Sequence, residues 1–172
     1  MAGNAYVTRM PLGISGAVTR LQDLTAEPVI LDNVKVFDQF GLAGKWSGNK
    51  FVPLEAGDDI DDVAGILIRP YPTQSQADVA YLGVKSGVTG DRLARGYICV
   101  SVPVGQATSA VKGAKVYVRV AAPTASSPLG SLVLTPDATA TNTPELTLAK
   151  VMGPGDGIAG AGKGHVEIAY NI

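Results

Sequence analysis

The chain of 172 residues holds one cysteine, Cys99, and one histidine, His165, and each shortage excludes a class of chemistry. A lone cysteine forms no internal disulfide and no multi-cysteine metal site, and it fits synthesis in a reducing compartment. With a single histidine, any nucleophile–base pair of the Ser–His type has to run through His165. An excess of one charge is missing too: 14 Lys and Arg face 15 Asp and Glu, a formal net charge of -1. No broad field therefore draws nucleic acid or an anionic membrane. Long apolar runs are absent as well. The two stretches nearly free of charge, 96–111 and 120–144, are broken by Pro103, Pro123, Pro128 and Pro136, so neither spans a bilayer as a helix. Residues 1–9 show no basic segment followed by an apolar core, which predicts no export by a secretory signal.

Aromatic residues make up only 6% of the chain, against 21 Gly and 11 Pro. With abundant Ala, Val and Thr, this composition favours many short strands joined by turns over long helices. The length suits one domain, since a domain of about 150 residues buries roughly 70% of its unfolded surface. The clearest pattern lies at 112–120. Val116, Val118 and Val120 alternate with Lys115, Tyr117 and Arg119, the period of two of a half-buried strand, with the valines inward and Tyr117 and Arg119 outward.

Residues 1–28 show no sustained period and are cut by Pro11, Gly13, Gly16 and Pro28; they read as an extended arm ahead of a body at 29–172. The arm is either mobile or pinned against another surface, such as a partner subunit. Val29 to Phe37 reads as a strand interrupted at Asp32 and Asn33. Phe40 to Leu54 reads as a hairpin whose turn, Ser47 to Asn49, is flanked by Trp46 and Phe51. Val63 to Arg69 is a short apolar run of the kind a fully buried strand shows. Residues 73–95 read mostly as a loop, with a possible helical turn at 77–82. Strands follow at 97–102, 131–135, 146–152 and 165–170, with glycine-dense loop at 153–164. Together these predict an all-β, single-domain sandwich or barrel, jelly-roll-like, with an extended N-terminal arm.

Candidate chemistry is thin. Gly155, Gly157 and Gly160 match G-x-G-x-x-G, and Gly157 to Lys163 matches most of a phosphate loop. Gly164 nevertheless stands where a magnesium-binding Ser or Thr belongs, and a strand rather than a helix follows, so the stretch reads as a plain loop. His165 shares the predicted outer face with Glu167 and Ala169, and Cys99 lies mid-strand as a small buried hydrophobe. Asp58, Asp59, Asp61 and Asp62 have calcium-type ligands without calcium-loop spacing and read as a solvated turn. No catalytic set, metal site or cofactor is indicated. Arg69 with Tyr71, and Arg92 and Arg95 with Tyr97, combine the residue types enriched at protein interfaces; capping of the barrel ends is the alternative.

Several segments in shared order resemble the structural cement, or capsid decoration, proteins of tailed bacteriophages. They are 27–32, 41–54, 65–72, 95–97, 115–119, 127–131 and 166–169, which cover nearly the whole chain and consist of packing and turn residues. The resemblance implies a non-enzymatic β-rich protein made in the host cytoplasm. It implies binding to the major capsid protein on the outer surface of the virion, clamping neighbouring capsomers as a homodimer or homotrimer, without nucleic acid or membrane partners. The resemblance singles out no contact residues; the interface argument makes Tyr6, Arg9, Trp46, Arg69, Tyr71, Arg92, Arg95 and Tyr97 the candidate capsid or subunit contacts. The rival reading is a virion-surface β-domain that binds a host glycan or receptor.

Overall fold

The structure, a computed structural model, describes residues 13–70, 89–160 and 162–172. In chain order the elements are β1 (Val18–Leu31), β2 (Ala43–Ser47), β3 (Lys50–Pro53), β4 (Gly65–Ile68), β5 (Thr89–Pro103), α1 (Val104–Thr108), β6 (Lys115–Val118), β7 (Leu132–Val133), β8 (Glu145–Val151), β9 (Asp156–Gly160) and β10 (Lys163–Tyr170). Short 3₁₀ turns lie at Ile60–Asp62 and Ala140–Asn142. All the strands belong to one sheet in the order β1-β3-β2-β4-β5-β10-β8-β6-β7, with β9 hydrogen-bonded to β10. This is the all-β, single-domain architecture that the composition predicts.

The sheet closes on itself at one end. β1 pairs in parallel with β3, while β3–β2, β2–β4, β4–β5 and β5–β1 pair antiparallel, so five strands form a ring. Its interior is a small core of Val29, Leu31, Phe37, Phe40, Leu42, Phe51 and Leu67. The rest of the sheet, from the C-terminal half of β5 through β10, β8, β6 and β7, packs its apolar face on the outside of the same ring. There Ile98, Val100, Val102, Val116, Val118, Val166 and Ile168 join Ala43, Leu54, Ile66, Ile68 and Leu93 in a second, larger core. β4 thus sends Leu67 into the ring and Ile66 and Ile68 into the larger core. A strand buried on both faces has no polar side to display, and this is the physical reason why 65–68 is an unbroken apolar run.

The hairpin of β2 and β3 forms with Trp46 opposite Phe51 and Ser47 opposite Lys50, as its turn residues predict. In β6 the predicted inward face, Val116 and Val118 with Val120 beyond the strand end, is fully buried.

Several expectations need correction. Arg119 does not face outward: it is 8% exposed and donates to Ser127 Oγ at 2.9 Å, Ala122 O at 2.9 Å and Asp137 Oδ2 at 3.0 Å. The alternation stops at Val118, and the next turns fold back over the guanidinium. Residues 89–95 are strand rather than loop, because β1 and β4 supply hydrogen bonds on both sides. Residues 156–160 are likewise strand, recruited by β10 despite their glycines. Residues 18–28, read as arm, lie within β1 along β5. Their lack of period reflects a strand that buries little on either face. The possible helical turn at 77–82 lies outside the described residues.

Candidate functional site

Of the five interface candidates among the described residues, Arg92, Arg95 and Tyr97 meet side chains of β1. Arg92 sits opposite Glu27 across the β5–β1 pair and opposite Leu67 across β4–β5. Its Nη2 meets Glu27 Oε2 at 2.5 Å, its Nη1 donates to Ala64 O, and its guanidinium lies 5.1 Å over the Trp46 ring. Trp46 in turn meets Phe51 edge-on at 5.8 Å, and Phe51 stacks on Phe37 at 5.3 Å. Arg92 and Trp46 thus extend the Phe37–Phe51 stack, with Trp46 still 45% exposed.

Arg69 works at the start of the described chain. Its Nε donates to Ser15 O at 3.1 Å, its guanidinium covers Phe40 at 4.6 Å, and its main-chain N–H donates to Gly16 O at 2.8 Å. Burial pulls its pKa below the usual arginine value, though not far enough to discharge it. Gly16 and Gly41 pack against each other here. A Cβ on Gly16 would lie 2.6 Å from Phe40 Cβ, and one on Gly41 would lie 2.5 Å from Ser15 Oγ. Both residues hold positive φ, 85° and 82°, so only glycine satisfies backbone and space together.

Tyr97 is covered by Arg20, whose guanidinium lies 4.7 Å from the ring centroid. Arg20 also makes a two-pronged contact to Glu167, at 2.9 and 2.7 Å, and Thr19 Oγ1 donates to the same carboxylate at 2.7 Å. The hydrogen bond to Glu167 raises the Arg20 pKa. Arg95 meets Asp23 at 3.4 Å, with both side chains about half exposed. Exposed pairs of this kind contribute about 0–1 kcal/mol each, so they align β1 more than they anchor it. Tyr6, Arg9 and Tyr71 lie outside the described residues.

Arg20, Glu27 and Glu167 are the structural partners of these candidates that sequence reasoning missed. Arg20 and Glu167 stand 147 positions apart, and no local period signals their contact. Exposed apolar side chains lie on and beside β1: Leu21, Ile30, Val34 and Val36.

The groups weighed for chemistry have structural partners. Asp59 and Asp62 form a capping box on the 3₁₀ turn, and Asp58 pairs with Lys45 at 2.6 Å, so the acidic cluster is a built turn. Cys99 is buried, as read, and desolvation pushes its thiol up to about 12. His165 is not on a free outer face. Its side chain is 13% exposed with Nδ1 3.8 Å from Asp156 Oδ1, and desolvation lowers its pKa against the pull of that carboxylate. Ser101 lies opposite His165 across β5–β10, but its buried hydroxyl has no hydrogen-bond partner among the described residues. The nucleophile–base hydrogen bond of a Ser–His pair is therefore not made. Among the described residues no His, Cys, Asp or Glu cluster could hold a metal, and no helix is long and apolar enough to cross a membrane.

No curated protein matches the chain. A chain from a solved structure described as "The capsid of Myoviridae Phage XM1" is similar to it with a TM-score of 0.60 and 18% identity, covering 96% of both chains; at that identity the likeness is one of fold. The family model of the XM1 gp53 minor capsid protein matches residues 3–170. With nearly every residue inside that match, the chain belongs to the XM1 gp53 minor capsid protein family.

Proposed function

We propose that this protein is a structural component of a phage head that binds the outer face of the major capsid lattice and holds neighbouring capsomers together in the expanded shell. The observation that carries the reading is the match of residues 3–170 to a minor capsid protein family. Physical support comes from a ring whose strands are paired on both sides and from ion pairs of Arg20, Arg92 and Arg119 with Glu167, Glu27 and Asp137, which together make a braced body suited to lattice contact. A protein that binds the assembled shell but not free subunits stabilises the shell by mass action, and many weak copies on one lattice add up. About 800 Å² per partner suffices for each contact.

In this reading the body, its ring closed by residues 26–31 of β1, sits on the lattice, the chain ahead of those residues reaches a neighbour, and the protein acts as a homodimer or homotrimer. Trp46 and Arg95, both exposed, are the described candidates for direct contact. Arg92 and Tyr97 act from behind by positioning β1, Arg69 by holding residues 15 and 16 ahead of it, and Tyr6, Arg9 and Tyr71 remain candidates. Co-sedimentation with empty expanded capsids tests the reading, together with capsid melting with and without added protein. Binding and a raised capsid melting temperature are expected, with Trp46→Ala and Arg95→Ala weakening binding about tenfold, the loss of about 1.4 kcal/mol. Failure to co-sediment, or a positive glycan screen without capsid binding, overturns it.

A further inference from the structure

β1 is two segments with different attachments. Residues 26–31 run in register beside β5 and β3 and close the ring. Ahead of them the register breaks. Arg20 pairs with Tyr97 and Thr25 with Arg95, so five steps along β1 match two along β5. Within the break Leu21 is 78% exposed and Asp23 has φ 56°, a left-handed value uncommon outside glycine. The break separates two segments of β1 that are attached differently.

On its far side, residues 13–20 hold the body through contacts to positions remote in the chain. Gly16 N donates to Cys99 O at 2.8 Å, and Cys99 N donates to Ala17 O at 2.9 Å. Thr19 and Arg20 grip Glu167, Ser15 donates to Phe40 O at 2.8 Å, and Arg69 grips Ser15 O and Gly16 O. Val18 is the partly buried apolar residue of this segment that packs on the larger core. Such a set of main-chain bonds, ion pairs and a glycine-fitted notch is specific for this peptide and indifferent to which copy delivers it. Exchange of identical elements costs little when every native contact is remade.

We propose that residues 13–20 form an exchangeable clasp, and that its seat on β5, Glu167 and the Gly41–Arg69 notch accepts the same segment from a second copy, linking neighbouring copies. This names the contact for the self-association in the proposed function, and its test does not involve the capsid. The Cα-paired positions Arg20 and Tyr97 are converted to cysteine in a Cys99→Ala background of the full chain. Tagged and untagged pools are mixed under reduction, held at several concentrations and then oxidised. Covalent tagged–untagged dimers whose fraction rises with concentration are expected. Monomers at every concentration, cross-linked internally or not at all, overturn the proposal.

Because those substitutions remove Arg20 and Tyr97, the unmutated chain supplies a second readout. Cys99 is buried and its main-chain N–H and C=O are both tied to the clasp. Maleimide labelling of Cys99 is expected to run at least tenfold faster than global unfolding, and Arg20→Ala to accelerate it further. Labelling that proceeds only at the global unfolding rate overturns the proposal. Clasp exchange without capsid co-sedimentation would defeat the lattice function alone, and co-sedimentation without exchange would defeat the clasp alone.

Discussion

Replacing Phe51 by alanine tests whether the five-strand ring is a packed unit. Phe51 is fully buried, stacked on Phe37 at 5.3 Å and edge-on to Trp46 at 5.8 Å, and the ring around it is hydrogen-bonded shut, so its walls cannot collapse into the space left. Truncating a buried Phe costs about 3–5 kcal/mol, with the high end where relaxation is restricted. For a chain of this size each kcal/mol moves Tm by about 2–4 °C, so Phe51→Ala should lower Tm by about 6–20 °C. Gly44 provides the complementary test. A Cβ there would lie 2.7 Å from Phe37 Cζ, Phe51 Cζ and Val52 O, so Gly44→Ala overpacks the same space and should cost about 1–3 kcal/mol. In the double variant the missing Phe51 ring relieves part of that clash. The combined loss should therefore fall short of the sum by about 1 kcal/mol, a coupling measurable by denaturant titration. A Tm change below about 2 °C for Phe51→Ala, against the cost expected for a packed site, or strict additivity in the double variant, would refute the idea of a closed, filled ring.

Stability should fall on acidification in two stages, read as Tm against pH. His165 has a folded pKa lowered by desolvation, so its contribution is present above its unfolded value of about 6.5 and is lost as pH drops below it. His165→Asn should erase this upper stage. Asp32, held down by Lys50 and by the amides of Val34 and Lys35, and Glu55, held down by Lys35 and Lys45, contribute above their unfolded values of about 4, and that contribution fades below them. A flat profile between pH 7 and 3 would contradict both stages. Gly130 has φ 77°, its main-chain O accepts from Ala43 N at 2.7 Å, and an added Cβ would meet Ala43 O at 2.5 Å. Gly130→Ala should therefore cost about 1–3 kcal/mol by equilibrium unfolding, since strained φ and a clash coincide, and a neutral result would show that this joint between ring and outer sheet gives way.

Part of the site was legible in the residues and part was not. Trp46 and Phe51 were placed across a hairpin turn because two strands joined by a short turn are neighbours by necessity. Arg92 and Arg95 stood out by type, yet their partners Glu27 and Asp23 lie 65 and 72 positions away, beyond any local period. Interface composition pointed to both arginines alike, and the fold turns Arg92 inward against Glu27 while leaving Arg95 half exposed.

The sequence by itself determined the strands whose burial leaves a period: the valine face of β6, the Val166, Ile168 and Tyr170 face of β10, and the unbroken apolar run of β4. Burial on one face or on two writes itself into side-chain order, so those elements need no partner to be recognised. Only the tertiary structure decided that residues 18–28, 89–95 and 156–160 are strand. Backbone hydrogen bonds from neighbouring strands hold them extended, and such bonds make no demand on side-chain type. It also decided that Arg119 turns inward, where Ser127, Asp137 and the Ala122 carbonyl satisfy its donors. A cation's position follows from where its acceptors are gathered, and that is a property of the folded chain.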